Sequence, residues 1–181
     1  MLKSLAQTLL NHDVRMIELE FRVGIQTNAG FHAHVPKVVW NRSKSTFGDA
    51  DETIILDQYV KNSDSGRYVY TASESYWERK KKLATETNPG EFSVRASLAL
   101  EMKEPGPPPI IFTLQRKKYR TTFYKGPWKI DFSRVETIPN TADVEETYEI
   151  EVELYDTYYF FEKEMHLILE EGENLARSIV R

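Results

Sequence analysis

The sequence contains no cysteine, which rules out a disulfide, a thiolate zinc site and a thiol nucleophile. Any metal chemistry must then use carboxylate, imidazole or water ligands, and oxygen donors favour Mg2+ or Mn2+ over zinc. No apolar run approaches the roughly 18 to 20 residues of a membrane span. The segment from Met1 to Leu10 also lacks the basic-then-apolar layout of a secretory signal. Excess positive charge is missing too: 24 basic residues stand against 28 acidic ones, a net charge of −4. The protein is therefore not coated for duplex nucleic acid, and an anionic partner must be captured locally. These absences point to a soluble intracellular protein with no membrane role. A length of 181 residues with no internal repeat reads as one domain, 1–181, large enough to bury a core.

What is present is sorted by face. Successive side chains of an extended strand point to opposite sides. Glu18, Glu20 and Arg22 therefore share one face, and Ile17, Leu19, Phe21 and Val23 the other. Near the far end Glu149, Glu151 and Glu153 oppose Ile150, Val152 and Leu154 in the same way. Two such strands side by side would make a site for a hard cation. The remaining charges are grouped as well, basic in 79–82 and 116–120 and acidic in 145–153 and 162–173. Charge runs are usually solvated faces, and taken alone either basic run reads more readily that way.

Along the chain, Leu2, Leu5, Ala6, Leu9 and Leu10 have helical spacing, which predicts a short packing helix over 2–12. A strand follows over 14–25, and then Phe31-His32-Ala33-His34, where the two histidines read as surface or packing residues more readily than as ligands. A strand is expected around Lys37 to Trp40. A helix is expected from Asp49 to Lys61, from its acidic start and the Ile55, Tyr59 spacing. Beyond Gly66, strands are expected at 67–72, 75–83, 91–103, 111–124, 128–136 and 147–156, separated by turn signals such as Asn88-Pro89-Gly90 and Lys125-Gly126-Pro127. With the strands near 14 and 37 the count is eight, a number suited to an antiparallel barrel. From Tyr158 to Val180, Phe161, Met165, Ile168, Leu175 and Ile179 predict one long helix, with Gly172 filling the gap in the spacing.

Several strands repeat the sorted pattern. Arg95, Ser97, Glu101 and Lys103 oppose Val94, Leu98, Leu100 and Met102; Arg116, Lys118, Arg120 and Thr122 share a face; Lys129, Asp131 and Ser133 oppose Trp128, Ile130 and Phe132. A half-exposed sheet would simply turn such faces to water. Like charges adjacent on one face repel, however, so a bare surface gains nothing from this sorting. A bound cation together with a bound polyanion would neutralise both groups. The architecture expected is mainly β (α+β): an eight-stranded barrel with charges inward, its apolar outer faces covered by helices at 2–12, 49–61 and 158–180.

Taken in order, Glu18-Leu19-Glu20, Ser97-Leu98-Ala99-Leu100-Glu101, Lys118-Tyr119-Arg120, Lys129-Ile130-Asp131-Phe132-Ser133 and Glu149-Ile150-Glu151-Val152-Glu153 resemble the fungal and protozoal type of metal-dependent RNA 5′-triphosphatase, within the triphosphate tunnel metalloenzymes. The resemblance covers most of residues 14–154. It implies an eight-stranded antiparallel tunnel resting on helices. It also implies removal of the γ-phosphate from the 5′-triphosphate end of pre-mRNA, the first step of capping, with Mg2+ or Mn2+ as cofactor. By the same resemblance Glu18, Glu20 and Glu153 are the metal ligands, and Glu149 and Glu151 hold water and neighbouring cations. Glu101 orients or deprotonates the attacking water, and Lys118 and Arg120 contact the γ-phosphate. Lys129, Asp131 and Ser133 contact phosphate or brace those that do, and Arg67 and Arg79 fall where two further phosphate-binding cations stand. Lys129 replaces a common arginine and Ser133 a common threonine, with charge and hydroxyl kept. Arg22 has no role in the pattern and is expected to balance the glutamates. Nuclear location follows from the resemblance alone, and no segment for docking a guanylyltransferase is recognisable. Two other readings stay open: a tunnel hydrolase of tripolyphosphate, thiamine triphosphate or free nucleoside triphosphates, and a polyphosphate-binding barrel without activity.

Overall fold

A computed structural model describes residues 16–60, 66–139 and 143–181. The helix expected over 2–12 lies outside them. Among the described residues nine strands occur in the order β1 Ile17–Thr27, β2 Gly30–His32, β3 Asp51–Tyr59, β4 Arg67–Tyr70, β5 Ser75–Asn88, β6 Ser93–Glu104, β7 Leu114–Lys125, β8 Trp128–Pro139 and β9 Glu145–Leu154, with helices α1 Lys37–Lys44, α2 Tyr159–Glu162 and α3 Met165–Ile179. Eight strands form one antiparallel sheet in the order β1-β6-β5-β4-β3-β7-β8-β9, and a β1–β9 pairing closes it into a barrel; β2 is a short hairpin partner of β1 alone. At Gly24 a Cβ would stand 2.1 Å from the carbonyl oxygen of His32, so the hairpin needs glycine there.

The strand count agrees with the expectation, but two assignments behind it are reversed. Residues 37–44 are a helix rather than a strand. Pro36, with φ −57° and ψ 141°, starts it, and the helix sets Trp40 edge-on against Phe132 and Tyr148 at 5.8 and 5.5 Å between centroids. Residues 51–59 are a strand rather than a helix. Thr53-Ile54-Ile55 is a β-branched run suited to a pleated surface, and the strand pairs with β7 over its whole length. The errors cancel in the count. The long carboxy-terminal helix is also divided, because Lys163 is extended between α2 and α3; Phe161 lies on α2 and is exposed.

The core sits outside the barrel. Leu19, Phe21, Val23, Leu98, Ile130, Phe132, Ile150 and Val152 are fully buried on the outer faces, under Ile168, Leu169 and Ala176 of α3 and Trp40 of α1. Gly172 is where α3 approaches most closely: a Cβ there would meet Phe21 Cε2 at 2.3 Å and Trp128 Cη2 at 2.7 Å. Gly172→Ala gains about 1 kcal/mol of helix propensity, but overpacking a filled core costs about 1–3 kcal/mol. The expected outcome is a lower melting temperature, checked by calorimetry. A raised one would mean that the helix can lift away at no cost.

Candidate active site

The inward positions of the barrel line a cavity of about 190 Å3 whose walls are almost entirely charged. The strand register assembles it. Glu20 of β1 lies opposite Glu153 of β9, and Arg22 opposite Glu151. Glu18 comes from the same face of β1, and Glu101 from the end of β6. Each acid is held by a cation. Lys80 Nζ lies 2.6 Å from Glu18 and 3.3 Å from Glu101; Lys129 Nζ lies 2.8 Å from Glu153 and 3.7 Å from Asp131. Arg22 bonds both Glu20 and Glu151, the latter at 2.8 Å.

Across the cavity, β7 presents Lys118 and Arg120. Arg120 lies 3.1 Å from Asp131 and 3.4 Å from Glu151, and its Nε donates to Ser133 Oγ at 3.4 Å. Asp131 also accepts from Thr122 Oγ1 at 2.6 Å. Asp131 and Ser133 are buried and do not line the cavity; their contacts brace Arg120. Glu149 is paired with Arg116 and also lies off the lining. Lys118 reaches Asp57 at 3.1 Å, and Arg67 reaches the same carboxylate oxygen at 2.9 Å while its Nε donates to Glu78 at 2.7 Å.

Arg79 is a correction. It points outward, half-exposed, with Glu104 at 3.3 Å, and Lys80 takes the inward position beside it. Strand alternation puts Arg79 on the face of Trp77, which packs outside with its indole N–H on the Pro107 carbonyl at 3.0 Å. Four consecutive cations leave that parity unmarked, and Trp77 was the available anchor. Asp57 and Glu78 were also missed: Asp57 because its segment read as a helix, Glu78 because nothing in sequence marks it as the partner of Arg67. The rings of His32 and His34 lie 5.9 Å apart, tilted at 59° to each other, and neither lines the tunnel.

No family model matches the chain. A curated relative, the 5′ RNA triphosphatase A449R of Paramecium bursaria Chlorella virus 1, is 50% identical over 183 aligned positions, which cover 98% of this chain and 95% of the relative. The chain belongs to the RNA 5′-triphosphatase family. Solved structures of the S. pombe Pct1 RNA triphosphatase have the same fold at 16% identity. One superposes with a TM-score of 0.76 over 98% of this chain and 90% of its own. A second, in complex with the Spt5 CTD, does so at 0.74 over 97% and 85%. The barrel is thus the triphosphate tunnel.

Tunnel-fold RNA triphosphatases are in general metal-dependent, and the residues of this triphosphatase fit a hard cation. Donors at the β1–β9 seam are carboxylates, and two of them are short of positive charge. Burial pushes Glu20 up; Arg22 offsets part of this, and Glu151 and Glu18 add to it. Burial pushes Glu153 up to about 7, against Lys129 and with the help of Glu18 and Asp131. Among the described residues no three acids already form a cage, because Lys80, Lys129 and Arg22 intervene. Elsewhere the balance goes the other way. Burial alone would raise Glu151, but Arg22, Arg120, Lys118 and Lys80 together hold it well below the usual carboxylate range. Lys118 is lowered by burial and by Arg67, with Asp57 opposing.

The Glu153 shift gives a pH dependence. A carboxyl raised from 4.5 to about 7 in the fold keeps its proton there while the unfolded chain loses its own. Metal-free stability from this group therefore falls as pH rises through that window. Cation binding needs the ionised form and must expel the proton. Apparent Mn2+ affinity is expected to rise by up to about tenfold per pH unit below 7 and to flatten above it, with proton release in titration calorimetry at pH 6. Binding with no proton release at pH 6 would contradict this.

Proposed function

We propose that the protein hydrolyses the terminal phosphoanhydride of 5′-triphosphate-ended RNA, with Mg2+ or Mn2+ bound at Glu18, Glu20 and Glu153, leaving a diphosphate end for guanylyl transfer. The observation that carries the reading is the opposition, across one cavity, of carboxylates on β1 and β9 and cations on β7. Family membership supports RNA as the substrate. The bound cation supplies charge neutralisation at the γ-phosphate oxygens and polarises phosphorus.

The chain's own side chains do the rest. Lys118 and Arg120 face the γ-phosphate and stabilise charge on its oxygens as the bond to the β-phosphate oxygen breaks. Arg67 shares Asp57 with Lys118 and so holds its guanidinium at the same level of the tunnel. Glu101, at the end of β6, orients a water for in-line attack and takes its proton as the new oxygen–phosphorus bond forms. Glu151, held ionised by four cations, fixes Arg22 and Arg120. Catalysis of this kind is mostly positioning and electrostatics.

The test is γ-phosphate release from triphosphate-ended RNA, ATP and tripolyphosphate with each metal. Release from RNA is expected with at least one of them, and hydrolysis of tripolyphosphate alone would overturn the capping reading. The proposed action on nascent transcripts calls for a place in the nucleus and for a guanylyltransferase as the enzyme that consumes the product. Fractionation that finds it solely in the cytosol would remove the nuclear assignment.

A further inference from the structure

Among the described residues, the cations that line the tunnel cavity are held by carboxylates with one exception. Arg22, Arg67, Lys80, Lys118, Arg120 and Lys129 each have at least one acid within ion-pair distance. Lys103 has none. Its register partner on β5, Glu78, is turned away to Arg67, and the Lys103 ammonium instead lies 4.5 Å from the centroid of the Tyr76 ring. A cation resting on an aromatic face is held in place without being neutralised, so it keeps its charge for an incoming anion.

Its position gives that charge a use. The cavity shares Glu18, Glu101 and Glu153 with a surface groove of about 210 Å3 that continues to Met16 and Tyr155. The interior therefore opens at the end of the barrel where β1 begins. Lys103 stands at that same end, one residue from the end of β6, and is exposed. This mouth gives an RNA whose terminal phosphate lies between the β1–β9 carboxylates and Lys118 a way to lead its chain out. The groove side of the mouth is walled by three glutamates, which repel a phosphodiester. Lys80 and Lys129 each already serve two acids. Lys103 is left to meet the backbone.

We propose that Lys103, seated on Tyr76 at the mouth of the tunnel, binds the first phosphodiester of the RNA chain as it leaves the tunnel, and so selects RNA over free nucleotides and tripolyphosphate, which lack that group. The proposal rests on the hydrolysis of triphosphate-ended RNA put forward above. Tyr76 is a positioning residue in it: the ring holds the ammonium over the exit.

The experiment compares kcat and KM for a triphosphate-ended oligoribonucleotide, ATP and tripolyphosphate in Lys103→Gln, Lys103→Arg, Tyr76→Ala and Tyr76→Phe. Lys103→Gln is expected to raise KM for the oligonucleotide about tenfold with kcat little changed, while kcat/KM for ATP and tripolyphosphate moves less than about twofold. Loss of one phosphate contact to a single strand should also reduce the slope of log kcat/KM against log salt by about 0.7, for the oligonucleotide alone. Lys103→Arg and Tyr76→Phe should retain the wild-type preference, and Tyr76→Ala should follow Lys103→Gln. Equal losses on all three substrates, or no change on any, would overturn the proposal and leave the hydrolase reading intact. A wild-type protein that releases no phosphate from RNA would overturn the hydrolase reading itself, and this inference with it.

Discussion

Glu153→Ala is expected to lower divalent-dependent phosphate release by about a thousandfold, roughly 4 kcal/mol of transition-state stabilisation, since a catalytic cation is worth several kcal/mol at the transferring phosphoryl group. Glu20→Ala should behave alike, because the two residues face each other across the seam between the first and last strands. Loss of activity alone would not separate a missing ligand from a damaged fold, but stability does. Burial disfavours the ionised form of Glu153 in the metal-free protein, so removing this carboxyl at pH 8 removes a cost. The metal-free melting temperature of Glu153→Ala is expected to equal or exceed that of wild type, whereas the rise that Mn2+ produces in wild type should disappear. Phosphate release within tenfold of wild type, or a Mn2+-induced rise that persists, would sink the ligand assignment.

The second large effect is on stability and comes from Asp57. This residue is fully buried, and one of its oxygens accepts both Arg67 at 2.9 Å and Lys118 at 3.1 Å. Asp57→Ala would leave two cations side by side in a site already poor in solvent. Breaking a buried pair by removing one partner costs about 3–5 kcal/mol, which for a chain of this size is a fall in melting temperature of roughly 6 to 20 °C. Asp57→Asn keeps an acceptor and loses the charge, so its cost should be smaller. Arg67→Ala in the Asp57→Ala background should restore part of the loss, because it removes one of the two cations that repel. Thermal denaturation of the four proteins decides the matter. A loss below about 1 kcal/mol for Asp57→Ala would mean that water reaches the pair and screens it.

The parts of this site that were legible from sequence are those where alternation was unambiguous. From Ile17 to Val23 on β1 and from Glu149 to Leu154 on β9 charged and apolar residues alternate without a break, so the inner and outer faces could be assigned without knowing any neighbour. Asp57 was hidden by an arithmetical coincidence. Ile55 and Tyr59 are four apart, a helical spacing that is also an even one, and both periods fit until the β-branched run at 53–55 is given its weight. Residues 37–44 failed in the opposite direction: Val38 and Val39 suggest a strand, but the outer face of β8 and β9 needs a cover at Phe132 and Tyr148, and only the assembled barrel reveals that need. Which acid pairs with which cation was beyond local reasoning altogether. Lys129 meets Glu153 because β8 and β9 pair in that register, and Arg67 meets Glu78 because β4 pairs with β5. Register between strands is a property of the whole sheet.

The closure of the barrel also bears on when the enzyme comes to exist. The hairpins β5–β6, β7–β8 and β8–β9 join neighbours in the chain and can form as soon as each is made. The β1–β9 seam joins the first strand to the last through the pairs from Glu20–Glu153 to Val23–Ile150, so its loop-closure entropy is met only at the end, the kind of long-range pairing that makes β-proteins slow to fold. A partial barrel on the ribosome thus holds Glu18, Glu20 and Glu101 but lacks Glu153, and the proposed cation site is one carboxylate short. A cation that arrives after closure acts as a latch on the finished seam: it should slow unfolding and leave the folding rate unaltered, because the contacts it strengthens are the last to form.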